Sequence, residues 1–509
     1  MFDSIRRNPS TTASAGEPTT STARASTLRC DDVSPDDTFD HGSGHTLCNC
    51  TGPAFKRPIS SWPEAPLASA AMAGADAAFA APVPVAEIKA LIEPRLPALF
   101  EQYKHFHQNP ELAGQEVKTR EIVGKRLREL GYEVTENFGK WSDGKELQSA
   151  VAILKNGEGP TLLVRADMDA LPITEKTNVP YASTKRATQP DGTEVGVMHA
   201  CGHDVHTTNL LGFADIMMQL KDRWSGTLML IAQPAEEAMS GAKAMMESGL
   251  YESFGKPDAA IALHCYGPAT PNVIATRAGA MMASVDSLDV VLHGRGGHGS
   301  TPQATVDPVA MAGNFIGQTH DIVSRKVTPG EPALITIGQI RAGTARNIIP
   351  DSAELKLTVR SFADPVQKVL VDNITNVAKG VAVAVGAPKE PTVTKAEPTY
   401  PAVINDAALH TRLTTVWQQQ LAGEKITIRE MPRIMAGEDF PRFGKDDRSI
   451  PTLFFFVGAS TQAELDRRQA AGLPPPVSHT NDFLPDAVNT MRTGLLAFTT
   501  AATSFLQKK

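Results

Sequence analysis

The pattern of apolar and polar positions separates a polar N-terminal stretch from a long periodic remainder. Residues 1–65 have little periodic apolar content and are rich in Ser, Thr, Pro, Gly and Asp, which predicts a disordered extension. From 85 to 103 apolar residues recur at helical spacing, and two prolines in this stretch are expected to distort the helix. A second helix is predicted over 119–130 and ends at Gly131.

Apolar runs and helical segments then alternate along the chain. The predicted strands are 151–154, 161–164, 227–232 and 259–263, and the predicted helices are 209–220 and 241–248. This alternation is typical of an α/β sheet covered by helices. The sequence therefore predicts that the first part of a catalytic domain spans 85–281.

The pattern changes after residue 282. A run with strict alternation, 286–292, suits a strand with one exposed face. Further segments have the pattern helix, strand, strand, helix at 308–323, 333–340, 352–360 and 366–385. This order predicts a small α+β domain at 282–395, inserted into the first. A helix at 407–421 and a strand at 453–457 then belong to the second part of the catalytic domain, 396–509.

Composition narrows the possible classes of protein. With 509 residues, of which 41% are hydrophobic and 21% charged, the chain is globular and too long for one core. The net charge of −7 and the lack of a basic stripe argue against a nucleic-acid partner. The sequence contains no run of about 18 apolar residues, so it predicts no membrane span. Five cysteines, an odd number, do not form a disulfide framework.

The small, apolar stretch at 66–80 resembles the second half of a secretory signal peptide. It ends in Ala78-Phe79-Ala80, a small-x-small sequence suited to cleavage. Two features favour the alternative of an Ala-rich linker: Asp76 lies within the stretch, and the basic residues lie far from the stretch. We expect a periplasmic or secreted protein, and otherwise a cytoplasmic one.

Chemically active side chains follow the predicted strands. Asp167 and Asp169 come after the second strand, Glu236 and Glu237 after the third, and His264 after the fourth. Ligand sites of open α/β sheets lie beyond the carboxyl ends of strands, so these residues are expected to converge. One glutamate of the pair can bind a metal ion while the other takes a proton from water.

A single cysteine stands in a segment rich in His and Asp. Cys201 and His203 flank a glycine, and this spacing lets both side chains turn toward one ion. A lone cysteine suits an open catalytic metal site better than a closed structural zinc site. We expect His199, Asp204 and His206 to orient ligands or to pack in the core. Alternatively, Cys201 is the nucleophile of a thiol hydrolase with a histidine base.

Other candidates lie further along the chain. The glycine-rich loop 294–302 presents His298 and has no phosphate-binding lysine, so nucleotide binding is not expected. Asn347 and Arg360 offer donors for an amide oxygen or a carboxylate. His479, in a late Ser-His-Thr loop, is a candidate ligand. Asp169 is counted with the catalytic residues, as a brace for a ligand.

Six motifs together resemble one known family. They are Arg165–Pro172, Met198–Asp204, Gln233–Glu237, Leu263-His264, Gly297–Pro302 and Arg346–Pro350. The resemblance is to the dinuclear metal aminoacylase/carboxypeptidase family, in its branch of hippurate hydrolases and indole-acetyl-amino-acid amidohydrolases. It covers about residues 86–507 and leaves the first 80 residues outside.

This resemblance implies a mixed-sheet, zinc-peptidase-like α/β catalytic domain with an inserted α+β lid or dimerisation domain. It implies a homodimer with two divalent metal ions per subunit (Zn, Mn, Co or Ni). The implied ligands are Cys201, which bridges the ions, and His203, Glu237, His264 and His479. The implied general base is Glu236. His298 matches a lid histidine that reaches the neighbouring subunit's site, and Asn347 and Arg360 match residues that hold the substrate.

The function expected from these residues is hydrolysis of the amide bond of N-acyl amino acids by a metal-activated water. The acyl group could be hippurate-like or another aromatic or aliphatic group. An alternative is a carboxypeptidase or dipeptidase that acts on short peptides. A third hypothesis is a binding protein that keeps the fold, although the presence of Glu236 argues against it, since binding alone needs no general base.

Overall fold

A computed structural model describes residues 83–188 and 192–508. The predicted extension at 1–65 and the signal-like stretch at 66–80 lie outside these residues. The helices are α1 (Val85–Ile92), α2 (Leu96–Gln108), α3 (Val117–Glu129), α4 (His203–Gln219), α5 (Gly241–Glu247), α6 (Leu250–Phe254), α7 (Pro308–Lys326), α8 (Asp364–Ala384), α9 (Ala407–Gln420), α10 (Gln462–Ala470) and α11 (Ala487–Phe505).

The strands are β1 (Glu133–Glu136), β2 (Ala150–Asn156), β3 (Thr161–Asp167), β4 (Arg186–Thr188), β5 (Glu194–Gly196), β6 (Gly226–Gln233), β7 (Ala259–Tyr266), β8 (Val273–Thr276), β9 (Gly279–Met282), β10 (Ser284–His293), β11 (Gly297–His298), β12 (Ala333–Ala342), β13 (Ile348–Ile349), β14 (Ser352–Ser361), β15 (Thr392–Tyr400), β16 (Val403–Asn405), β17 (Thr427–Glu430) and β18 (Thr452–Gly458).

The larger sheet has eight strands in the order β1-β2-β6-β3-β7-β18-β8-β17. Its central strands β6, β3, β7 and β18 run parallel to one another, whereas β1, β2 and the β18–β8 pair are antiparallel. The central strands read as continuous apolar runs because helices cover both faces. This confirms the predicted mixed-sheet α/β fold.

Two apolar clusters lie on the two faces of this sheet. One joins the sheet to α1–α4, α9 and α11, with Trp224 and Trp417 fully buried. The other joins it to α5, α6 and the turn that contains Phe440 and Phe443. The sheet is therefore the middle layer of three, which leaves the strand ends as the place for a site.

The smaller sheet is antiparallel and has the order β12-β14-β10-β15. Helices α7 and α8 pack on one face, and burial along β14 alternates as a one-sided sheet requires. The other face is polar. Strand β12 is an edge and pairs only with β14 among the described strands. The sheet runs from Ser284 to Tyr400, and the domain boundaries stay predictions.

Most predicted elements are present, and the differences have physical reasons. The prolines of 85–103 do interrupt that helix, which is divided into α1 and α2 by a short turn of 3₁₀ helix. Helix α4 begins at His203, six residues before the predicted start at 209, because its first turn buries polar side chains that hide the apolar pattern. Helix α11 was not predicted, because it is buried on nearly all sides and its sequence shows no single apolar stripe at helical spacing. None of the described helices is long and apolar enough to cross a membrane.

Candidate metal centre

Three adjacent parallel strands bring the predicted residues to one edge of the larger sheet. Asp167 is the last residue of β3, and Glu236 and Glu237 lie three and four residues after the last residue of β6. His264 lies within β7, two residues before its end, rather than after the strand as the sequence suggested. Since β6, β3 and β7 are neighbours, these side chains approach each other as expected from the strand order.

The turn that contains Cys201 and His203 depends on the glycine between them. Gly202 has φ +90°, and a Cβ at this position would lie 3.0 Å from Cβ and Sγ of Cys265. Only glycine therefore fits the turn without strain or displacement. The turn places Sγ of Cys201 3.3 Å from Nε2 of His264 and starts helix α4 at His203.

Backbone carbonyls fix the tautomers of two histidines. Nδ1 of His203 lies 2.8 Å from the carbonyl oxygen of Asp169, and Nδ1 of His264 lies 2.7 Å from that of Cys265. A carbonyl can only accept, so Nδ1 carries a proton, and in the neutral ring Nε2 directs its lone pair into the cluster. This is the usual arrangement of metal-ligating histidines.

Glu237 lies between His203 and His479, two histidines from distant segments of the chain. Its Oε1 is 3.9 Å from Nε2 of His203 and 3.1 Å from Nε2 of His479. His479 has φ +66°, and its amide donates to the carbonyl of Ala200 at 2.8 Å, which ties its loop to the Cys201 turn. Five predicted ligands thus share one edge, in overlapping groups whose donor atoms lie within 4.8 Å of one another: Cys201, His203 and His264; Cys201, Glu237 and His479; and His203, Glu236 and Glu237.

Two donor atoms of this cluster fit bound cations. Among the described residues, Nε2 of His203 and Oε1 of Glu237 are buried and have no hydrogen-bond partner. Nε2 of His479 lies 3.1 Å from Oε1 of Glu237, so these two candidate ligands are close enough to share one ion. Buried polar atoms left without partners cost about 1–3 kcal/mol each. Divalent cations would satisfy both atoms, so the residues fit a dinuclear metal site.

The electrostatics of the cluster favour a cation as well. Burial lowers the pKa of His203, but the carboxylates of Asp167, Asp169 and Glu237 outweigh it and raise that pKa to about 10. Burial, with the charges of Glu237 and Glu236, raises the pKa of the Cys201 thiol well above its usual value. A thiolate at this position therefore needs a positive partner, which disfavours Cys201 as an unassisted nucleophile.

Glu236 is held in a protein interior that disfavours its charge. Burial raises its pKa well above the usual value, and the carboxylates of Glu438, Glu237 and Asp439 add to the effect. The sequence reading missed Glu438 and Asp439. They repeat the adjacent-acid pattern of the earlier pair and precede a buried Phe440, and that signal could have found them.

Arg165 joins several of these carboxylates beneath the cluster. Its guanidinium is buried and donates to Oδ2 of Asp167 at 2.6 Å, to Oε1 of Glu438 at 2.8 Å and to Oδ1 of Asp439 at 2.9 Å. Its Nε donates to Gln233 at 2.8 Å. The planar fork of arginine suits this multiple recognition, so Arg165 fixes the positions of the surrounding acids.

The remaining polar residues of the cysteine segment have separate partners. His206 Nδ1 lies 2.6 Å from Oδ1 of Asp167, and its Nε2 accepts from the amide of Cys265 at 2.8 Å. Asp204 is paired with His107 at 2.7 Å. Among the residues that the structure describes, neither ring nitrogen of buried His199 has a hydrogen-bond partner, and burial lowers the pKa of His199 to about 4. His206 and Asp204 therefore have buried polar partners, none of which is one of the five predicted ligands, and an orienting role for them stays a prediction.

The predicted substrate and lid residues lie in and around the smaller sheet. His298 is exposed on β11, and its Nδ1 accepts from the amide of Ser300 at 3.1 Å, which leaves the proton of a neutral ring on Nε2. Asn347 is exposed, and its carbonyl accepts from Gly299 at 2.8 Å. Arg360 donates to the carbonyl of Met435 at 2.5 Å. None of the contacts described for His298 or Asn347 reaches the cysteine cluster within one chain.

Comparison with known proteins agrees with this geometry. Residues 163–469 match peptidase family M20/M25/M40. The chain belongs to this family. Thermostable carboxypeptidase 2 of Saccharolobus solfataricus is 34% identical over 409 residues, which are 80% of this chain and 94% of that protein. Hippurate hydrolase of Campylobacter jejuni is 42% identical over 287 residues, 56% of this chain and 70% of that protein.

A solved structure extends the likeness to the fold. A dinuclear metal binding peptidase of the M20 family from Bacillus subtilis is 28% identical, with a TM-score of 0.65, over 81% of this chain and 99% of that one. These relatives confirm the resemblance to the aminoacylase/carboxypeptidase family. This M20 protein is therefore a metal-dependent hydrolase of amide or peptide bonds. The roles of individual site residues stay predictions.

Proposed function

We propose that this M20 hydrolase cleaves the amide bond of N-acyl amino acids. The observation that carries the proposal is the position of Glu236: it is buried, directly precedes Glu237, and lies in the same cluster of donor atoms as His203 and Glu237. Glu236 is close to these donor atoms but is not one of the five proposed ligands, and a carboxylate in that position suits a general base. The 42% identity to a hippurate hydrolase supports an acylated amino acid as the substrate.

The residues that would hold two divalent metal ions are Cys201, His203, Glu237, His264 and His479. When bound, the ions supply Lewis acidity toward the scissile carbonyl and lower the pKa of water toward neutrality. A donor set of one sulfur, three imidazoles and one carboxylate suits Zn, Co or Ni better than Mg or Ca, and the family resemblance keeps Mn among the candidates.

In the proposed reaction Glu236 takes a proton from the attacking water and later donates it to the leaving amine. Its buried setting raises its pKa and so favours retention of that proton between the two steps. The Nε2–H of His298, from the neighbouring subunit, would donate to the oxyanion of the tetrahedral intermediate. Asn347 and Arg360 would hold the amide and the carboxylate end of the substrate. The products are a carboxylic acid and a free amino acid.

A panel of substrates tests the proposal. N-acetyl, N-benzoyl and indole-acetyl amino acids are compared with unblocked dipeptides and longer peptides, and the metal content of the same sample is measured. Higher kcat/KM on N-acyl amino acids supports the proposal. A preference for peptides favours the carboxypeptidase or dipeptidase alternative, to which the 34% identity with a thermostable carboxypeptidase points.

A homodimer is part of the proposal. The edge strand β12 exposes Ile340, and the nearby ribbon exposes Ile348, so an apolar strand edge is available for pairing with a second copy. A dimer would also bring His298 to a partner's site. Sedimentation of the wild type and of Ile340→Asp tests this, with a shift of the variant toward monomer expected.

Export to the periplasm or the medium is likewise proposed, from the signal-like sequence that ends at Ala80. Sequencing the N-terminus of the mature protein from its own host tests it. Cleavage near Ala80 supports export, and retention of the upstream residues in a cytoplasmic fraction contradicts it.

A further inference from the structure

A tyrosine at the junction of the two sheets touches the backbone of Glu236. Tyr400 is the last residue of β15, the strand on which the chain leaves the smaller sheet. Its hydroxyl donates to the carbonyl oxygen of Glu236 at 2.8 Å, and the side chain is only 4% exposed. Burial raises the pKa of Tyr400, so its hydroxyl stays protonated and remains a donor.

The ring of Tyr400 lies close to Gly437. Tyr400 is paired with Val285 across β15 and β10. A Cβ added at Gly437 would come within 2.6 Å of Cδ2 of Tyr400 and 2.7 Å of Cγ2 of Val285. Any larger residue at 437 would displace the ring. The hydroxyl therefore reaches Glu236 from a position set by the strands that connect the two sheets.

The backbone that receives this hydrogen bond is strained. Ala235 has φ +52° and Met239 has φ +60°, left-handed values that cost energy in residues other than glycine. The carbonyl of Glu236 also accepts from the amide of Met239 at 2.7 Å. On the amide side, the carboxylate of Asp169 accepts from Glu236 at 3.1 Å. The turn is thus held from its amide side by one strand end and from its carbonyl side by Tyr400.

Further contacts hold the end of β15 against the larger domain. Lys243, on the helix that follows the Glu236 turn, pairs with Glu397 at 2.5 Å. Arg442 donates to the carbonyl of Thr399 at 3.0 Å. The strand that carries Tyr400 is therefore anchored beside the turn that it contacts.

We propose that Tyr400 is a positioning residue for the general base, through which the strands joining the two sheets set the orientation of Glu236. The proposal rests on the proposed role of Glu236 as base. Tyr400 need not touch the substrate, and its hydroxyl acts only through the Glu236 carbonyl. Misplacement of a catalytic group by a fraction of an ångström to 1 Å lowers turnover more than it lowers binding.

Tyr400→Phe tests the proposal because it removes the hydroxyl and keeps the ring beside Gly437. Tyr132→Phe is the matched control: Tyr132 is also 4% exposed and donates to a backbone carbonyl, that of Ala214, at 3.0 Å. We expect kcat to fall about tenfold in Tyr400→Phe with KM and bound metal unchanged. The control is expected to keep its kcat while it loses a similar amount of thermal stability.

Two results would overturn the inference: equal kcat in both variants, or a fall in kcat that follows a loss of bound metal. The proposed function is judged separately, by the wild type. If the wild type hydrolyses peptides and not N-acyl amino acids, the substrate proposal fails, and the same pair of variants is compared on the peptide that it does cleave.

Discussion

Asp169 holds Glu237 through the backbone: its Oδ2 accepts a hydrogen bond from the amide of Glu237 at 2.8 Å. Its Oδ1 accepts from the amide of Glu236 at 3.1 Å. One buried carboxylate therefore sets the spacing between the proposed base and the proposed ligand. Its backbone carbonyl also fixes the tautomer of His203. Asp169 thus acts on three residues of the site without being one of the five proposed ligands.

Replacing the Asp169 carboxylate with an amide tests whether it braces Glu236 and Glu237. In Asp169→Asn one of the two acceptors becomes a donor that faces a backbone amide, so one amide is left unsatisfied. We expect kcat/KM to fall about 10- to 100-fold and metal affinity to weaken, as for other partners of metal ligands. Asp258→Asn is the control, since Asp258 also accepts a backbone amide, that of Thr161 at 2.7 Å, at an exposed position. Equal activity of the two variants would contradict the bracing role.

Glu236→Ala tests the proposed base directly. We expect a loss of kcat of about a hundred- to ten-thousandfold, the usual contribution of proton transfer by a positioned side chain. Bound metal should stay unchanged, because Glu236 is not one of the five proposed ligands. Metal analysis and kcat are measured on the same preparation. Unchanged activity would refute the role of Glu236, and it would leave a binding protein or a thiol hydrolase as the better hypothesis.

The sequence predicted those parts of the site that follow a strand or a glycine turn. Glu236 and Glu237 come a few residues after an apolar run, and Cys201 and His203 flank Gly202, so their local context revealed them. Arg165 was not assigned a separate role, because its partners come from distant segments and no local pattern encodes the contacts.

Prediction of the secondary structure also depended on local sequence pattern. Strands β3 and β6 were predicted because each contains an apolar run, whereas β15 mixes polar and apolar residues and was missed. Tyr400, at the end of β15, gave no chemical signal in the sequence. Its relation to Glu236 depends on how the two sheets are connected, and one-dimensional periodicity does not contain that connection.

Removal of metal should abolish activity and lower stability together. After dialysis against a chelator, we expect loss of turnover and its return on addition of Zn, Mn, Co or Ni. An ion that binds only the folded chain stabilises it by about 4 kcal/mol at a thousand times its Kd, so the melting midpoint should fall as well. Activity and the midpoint are measured on one sample. Full activity after chelation, combined with loss on thiol alkylation, would instead support Cys201 as a nucleophile.

The pH dependence of stability should reflect His107, which lies between two buried carboxylates. Its Nδ1 is 2.7 Å from Oδ2 of Asp204, and its Nε2 is 3.0 Å from Oε1 of Glu175. Burial lowers the pKa of His107, but these two partners outweigh it and raise the pKa from 6.5 to about 9. The folded chain therefore binds this proton more tightly than the unfolded chain. The resulting stability is present in full below pH 6.5 and is lost as the pH rises through 9.

His107→Gln isolates this effect from other titrations. We expect the wild type to exceed the variant in unfolding free energy at pH about 6, and the difference to shrink by up to about 3 kcal/mol by pH about 9.5. Urea unfolding of both proteins at fixed metal concentration measures it. A difference that is constant across this window would show that the proton on His107 is not linked to folding.

Mixing two inactive variants tests whether His298 completes the site of a partner subunit. His298→Ala and Glu236→Ala should each be inactive, the first for lack of the proposed oxyanion donor and the second for lack of the base. In a mixed dimer one site receives His298 from the Glu236→Ala subunit and keeps its own Glu236, so it is intact. After exchange at equal amounts, half of the dimers are mixed and about a quarter of all sites are restored. The activity of the mixture is measured after subunit exchange, with each variant alone as the control. If each site used the His298 of its own chain, no mixed dimer would contain an intact site, and the mixture would stay inactive.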